Sequence, residues 1–92
     1  MYLEISKQKN ILYLSGYLNR ITCIRLIPKL ENLYEKKEKV TININDLKEI
    51  DSYALNYLTE FYKKTLKSNN NCSIQGFGSK DIYNEWMSQK II

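Results

Sequence analysis

The chain has no histidine, one proline and three glycines among its 92 residues. Without histidine, Ser-His and Cys-His nucleophile pairs and the commonest zinc ligand are missing. Cys23 and Cys72 are far apart in sequence, so no metal-ligand spacing is spelled out. Both fall in predicted regular elements and read as reduced, buried small hydrophobes. The opening MYLEISKQKN lacks the basic-then-apolar order of a secretory signal, which points to a reducing cytoplasmic setting. No apolar run approaches the roughly 18 residues of a membrane span. The carboxylates are scattered among lysines, with no pair set for general acid–base work. The expectation is a non-enzymatic protein with no cofactor and no metal.

What the chain does have is charge, tyrosine and a clear alternation of periods. Fourteen Lys and Arg against ten Asp and Glu give a net charge of +4, which suits an acidic partner or nucleic acid. Lys, Asn, Ile and Tyr are all abundant, a pattern that coding bias also produces. The densest run, Glu35-Lys36-Lys37-Glu38-Lys39, mixes signs where a helix should end and reads as a solvated terminus. Tyr57, Tyr62, Lys63 and Lys64 are the elements of a small basic nucleic-acid-binding domain. Several of those aromatics fall on a core stripe, however, and no nucleic-acid motif accompanies them.

Length fits one small domain over residues 1–92. Tyr2 to Ser6 and Ile11 to Ser15 alternate as strands, and the short Lys7 to Asn10 connection implies an antiparallel hairpin. Gly16 should end the second strand, with Tyr17-Leu18-Asn19 as a loop. A helix from about Arg20 to Lys36 follows, its apolar stripe Ile24, Ile27, Leu30 and Leu33 or Tyr34. Pro28 within it implies a kink or a restart. Val40 to Asn45 is the third strand, with Asp46 in a loop. A second helix, Ser52 to Lys67, should bury Leu55, Leu58, Phe61, Tyr62, Thr65 and Leu66. Its outer face would carry Tyr53, Asn56, Tyr57, Glu60, Lys63 and Lys67. Cys72 to Gln75 is a fourth strand, and Ser79 caps a last helix from Lys80 to about Gln89 that packs Ile82 and Trp86. The order β-β-α-β-α-β-α gives an α/β fold, with a mixed, mostly parallel four-stranded sheet and three or four helices.

Asp51 and Ser52 stand where the third strand gives way to the second helix. A serine hydroxyl there lies at the positive end of a helix, where a phosphate can be tolerated and read. The plain reading of Asp-Ser before an amphipathic stretch is an N-cap. Both readings hold together if Asp51 caps and Ser52 signals.

Three segments resemble the STAS domain family, the fold of bacterial anti-sigma factor antagonists. Leu14 to Asn19, LSGYLN, is similar to the family's L-x-G-x-L-D. Val40 to Ala54, VTININDLKEIDSYA, resembles its apolar strand, D-L, variable pair, apolar residue and D-S-x-G. Asn69 to Gly76, NNNCSIQG, is similar to the turn and strand that follow. The resemblance implies a binding module whose phosphoacceptor is Ser52 and whose partner is an ATP-binding anti-sigma factor serine kinase. The alternative role it implies is the STAS subunit, or the N-terminal STAS domain, of a bacterial phospholipid-transport ABC system that supports its ATPase. Asp51, Ser52, Tyr53, Asn56, Tyr57 and Asn19 would form the partner-binding surface. Tyr53 and Asn56 stand where the family has small residues, Ala54 where glycine is common, and Asn19 where it has aspartate. These departures imply a reshaped interface, with exposed tyrosines as anchors.

Overall fold

Alternation of apolar and polar residues sets the strands of the computed structural model, which describes residues 2–68 and 72–76. Strand β1 (Leu3–Gln8) turns through Lys9-Asn10 into β2 (Ile11–Leu18), an antiparallel pair. Helix α1 (Cys23–Glu35) leads to β3 (Val40–Ile50), helix α2 (Ser52–Lys67) follows, and β4 (Cys72–Gln75) completes the sheet. Sheet order is β1-β2-β3-β4, with β2, β3 and β4 parallel. Right-handed crossovers between successive parallel neighbours place α1 and α2 on the same face. The mixed α/β fold is as the sequence implied. The last helix expected over Lys80 to Gln89 lies outside the described residues.

The core lies between that sheet face and the two helices. Leu12, Leu14 and Leu18 of β2 and Val40, Ile42 and Ile44 of β3 are buried. Tyr13, Ser15, Thr41 and Asn43 take the alternate positions and are more exposed. On that other face Thr41 bonds Ser73 at 3.0 Å and Asn43 donates to Gln75 at 3.1 Å, polar rungs across β3 and β4.

β3 runs to Ile50, so Asp46 lies in a strand and not in a loop. Strict alternation would point Asp46 into the core after Ile44. Instead the pairing with β2 slips by one residue between Tyr13 and Ser15, and again between Gly16 and Tyr17. Each slip adds one residue to β3, and a bulge reverses the inside–outside parity. Leu47 is therefore buried while Asp46 stays exposed. β2 likewise continues through Gly16 to Leu18. Gly16 adopts φ +101°, and a Cβ there would meet the Tyr2 carbonyl oxygen at 2.5 Å. A glycine read as a strand end is thus a close approach between β1 and β2.

The buried side of α1 is Cys23, Leu26, Leu30 and Leu33. Ile24, expected in the core stripe, is 70% exposed. Both sets have helical spacing, and the sheet's leucines select the second. Pro28 lies inside a continuous helix. The carbonyl deprived of its partner belongs to Ile24, on the exposed side, where water can bond it. On α2 the buried set is Ala54, Leu55, Leu58, Thr59, Phe61 and Thr65, while Leu66 is 59% exposed. Thr59 donates its hydroxyl to the Leu55 carbonyl at 2.8 Å, which lets a polar residue sit in the core.

Candidate functional site

The parallel strands β2 and β3 end together, and both helices begin beside them. Leu18 pairs with Ile50, and the Asp51 N–H donates to the Leu18 carbonyl at 3.1 Å. Asp51 has extended backbone angles and is the N-cap of α2, its Oδ1 accepting from the Ala54 N–H at 2.8 Å. Its other oxygen, Oδ2, accepts from the Arg20 N–H at 2.9 Å. One carboxylate thus starts α2 and ties down the loop between β2 and α1.

Asn19 holds that loop from the other side. Its Oδ1 accepts from the N–H groups of Ile21 at 2.9 Å and Thr22 at 3.0 Å. The Thr22 hydroxyl donates to the Tyr17 carbonyl at 2.8 Å and accepts from the Asn19 N–H at 2.9 Å. An aspartate could accept the same bonds; asparagine makes them without a negative charge.

Ser52 is the first residue of α2 and is exposed. Because Asp51 fills the cap, the serine hydroxyl is not required to start the helix. Tyr53 is 50% exposed beside it, and Asn56 is exposed one turn on. Ile21 and Ile24 are 74% and 70% exposed at the start of α1. The Arg20–Asp51 bond brings their loop to the same end of the fold as Ser52. Sequence reasoning missed these two isoleucines as surface residues. The signal was present in the competing Cys23, Leu26, Leu30 stripe.

Tyr57 departs from its expected place. It is half-buried, its ring stacks on Phe61 with centroids 6.2 Å apart, and its hydroxyl donates to Glu31 Oε2 at 3.0 Å. Burial, then the Glu31 hydrogen bond, push its phenol well above the ordinary tyrosine range. Glu31 also accepts from Lys64 at 2.9 Å, and the Lys64 ammonium stands 4.2 Å from the Tyr34 ring centroid. The Lys64 bond leads in holding the Glu31 carboxyl below the usual carboxylate range. Tyr57 therefore belongs to the seam between α1 and α2, not to an open outer face.

Neither thiol has reactive character. Burial raises Cys23, with the Asp51 charge adding to it, and burial pushes Cys72 up to about 11. Among the described residues, no three His, Cys, Asp or Glu side chains gather as metal ligands, and no helix is long and apolar enough to cross a membrane.

No protein-family model matches the sequence, and no curated protein does. Solved structures do resemble the fold. An uncharacterized DUF3478-family protein from Shewanella loihica PV-4, itself described as having a SpoIIAA-like fold, is similar at TM-score 0.56 and 18% identity. That match covers 97% of this chain and 74% of that one. The crystal structure of Mglu is similar over 77% of this chain, at TM-score 0.60 and 12% identity. This chain spans only 18% of the length of Mglu. The fold is SpoIIAA-like.

Proposed function

We propose that the chain is a single, non-enzymatic STAS-type binding module, a partner switch governed by phosphorylation of Ser52. The observation that carries this reading is the exposed Ser52 at the first turn of α2, next to a cap that Asp51 already fills. A hydroxyl that the cap does not use, and that bonds nothing among the described residues, is free to be modified without unfolding the helix. The partner is an ATP-binding serine kinase of the anti-sigma factor class. Within its complex the Ser52 oxygen takes the γ-phosphoryl group of ATP, the hydroxyl proton passes to a kinase base, and ADP leaves.

The phosphate adds about −1.5 to −2 charges beside Asp51. Ala54 and Leu55 N–H already donate to Asp51; the remaining first-turn N–H groups, those of Ser52 and Tyr53, donate to the phosphate locally, so the domain stays folded. The docking surface changes sign and shape, and the complex weakens. Tyr53 and Asn56 flank the hydroxyl and contact the partner, whereas Asp51 and Asn19 hold the two loops in register. Tyr57 contributes through the edge of the seam it fills with Glu31.

A second reading is favoured by Ile21, Ile24 and Tyr53, which put exposed apolar surface at the same end as Ser52. Such a surface suits constitutive docking, as in the STAS subunit that supports the ATPase of a phospholipid-transport ABC system. Affinity capture with the wild-type chain, followed by mass spectrometry, separates the two. A captured serine kinase supports the switch, and a captured ABC ATPase supports the transport subunit. Capture of neither class, with the bait folded, contradicts both.

A further inference from the structure

The end of the fold opposite Ser52 gathers most of the lysines. Helices α1 and α2 finish there, beside the β1–β2 turn and the starts of β3 and β4. Lys7, Lys9 and Lys39 surround one surface hollow of about 270 Å³ with Asn10 and Glu38. Lys7 and Lys29 edge a neighbouring hollow floored by Ile5, Leu12 and Leu33. Lys63, Lys64 and Lys67 line a third, of about 300 Å³, against Tyr34 and Glu60. Lys36 and Lys37 close α1 between them.

Among the described residues four glutamates, Glu31, Glu35, Glu38 and Glu60, oppose nine lysines there. Among the described residues Glu38 pairs with Lys7 at 3.7 Å, Glu60 with Lys63 at 3.9 Å and Glu31 with Lys64 at 2.9 Å. Lys9, Lys29, Lys36, Lys37, Lys39 and Lys67 make no ion pair among the described residues. Around Ser52, by contrast, Arg20, Arg25 and Lys48 are balanced by Asp46, Glu49 and Asp51. Coding bias enriches lysine everywhere; it does not sort lysines to one end.

Two of these lysines sit where the backbone disfavours them. Lys9 and Lys37 both adopt φ 57°, the left-handed region that glycine and asparagine occupy more readily. Lys37 ends α1, with the Glu38 N–H donating to the Leu33 carbonyl at 3.1 Å, a place where glycine is the usual residue. Charge is carried at both turn tips against local preference.

An exposed apolar side chain stands in the same field. Leu66, 59% exposed, lies on the last turn of α2 between Lys63 and Lys67. Among the described residues the rings nearest these lysines, Tyr34, Tyr57 and Phe61, are packed into the seam between the helices, and Tyr62 beside Lys63 is half-buried. Lysines around an exposed leucine, with no fully exposed ring among them in the described residues, match an anionic lipid surface better than a nucleic acid.

We propose that this lysine-rich end adsorbs to the surface of an anionic bilayer, with the lysines at the headgroups and Leu66 in the interfacial region. The contact is peripheral and leaves Ser52 pointing away from the lipid. It stands independently of the switch.

Vesicle co-flotation of the full chain tests it. Phosphatidylglycerol-rich vesicles should carry the protein, pure phosphatidylcholine vesicles should not, and binding should fall as salt rises. Combining Lys36→Gln, Lys37→Gln and Lys39→Gln should lower the partition coefficient about fivefold per lysine. Leu66→Ser should lower it about tenfold, and Lys48→Gln at the other end should leave it unchanged. Circular dichroism verifies that each variant is folded. Equal binding to both vesicle types, wild-type binding by the triple variant, or binding to single-stranded RNA with vesicles ignored would overturn the proposal.

Discussion

Replacing Asp51 with alanine removes two bonds from one side chain. Oδ1 caps α2 through the Ala54 N–H at 2.8 Å, and Oδ2 holds the Arg20 N–H at 2.9 Å. Loss of an N-cap of this kind costs about 1 kcal/mol. The second bond is solvent-exposed and contributes about 0.5–1 kcal/mol, so the sum is about 1.5–2 kcal/mol. At about 4–8 °C per kcal/mol for a chain of this size, the melting temperature should fall by roughly 6–16 °C. Asp51→Asn separates the parts, because its amide oxygen can still cap while its amide nitrogen cannot accept from Arg20. That variant should lose only about 0.5–1 kcal/mol. Urea unfolding followed by circular dichroism measures both. An Asn variant as unstable as the Ala variant, or an Ala variant within about 0.5 kcal/mol of wild type, would refute the two-bond account.

Two further perturbations bear on other parts of the molecule. Leu26→Ala should destabilise by about 2–5 kcal/mol, since Leu26 is fully buried, and Ile24→Ala by less than about 0.5 kcal/mol; the reverse ranking in urea would restore the stripe read from sequence. Glu31 has a lowered folded-state carboxyl because Lys64 bonds it, so its contribution is present above the unfolded carboxylate pKa and is lost as pH falls through the lower folded value. Acid titration of the urea midpoint should thus show a steeper loss below about pH 4 in wild type than in Glu31→Gln, and identical slopes would contradict the Lys64 contact.

Strand and helix order were legible because the hydrophobic period switches cleanly from two to about three and a half along the chain. The Asp51 cap was legible too, since an acceptor before an amphipathic run has few other uses. The path of β3 was not. INDLKEI breaks alternation at Asp46, and only the pairing with β2 shows two bulges where a loop would also fit. The face of α1 was misassigned for a related reason. Ile24-Ile27-Leu30 and Cys23-Leu26-Leu30 are equally periodic, and the choice belongs to the sheet beneath them. Tyr57 looked exposed because its position on the α2 wheel faces away from the sheet. It faces α1 instead, where Glu31 takes its hydroxyl. The site's loop partners, Asn19 and Asp51, are far apart in sequence, and the Arg20 N–H that joins their loops carries no side-chain signature.

Phosphoryl transfer to residue 52 is the most direct test of the switch. The captured kinase and ATP should add one phosphoryl group to the wild-type chain, read by intact mass, and none to Ser52→Ala. The phosphorylated form should then bind that kinase more weakly than the unmodified form. A full phosphoryl signal in Ser52→Ala, or equal affinity of the two forms, would contradict the account.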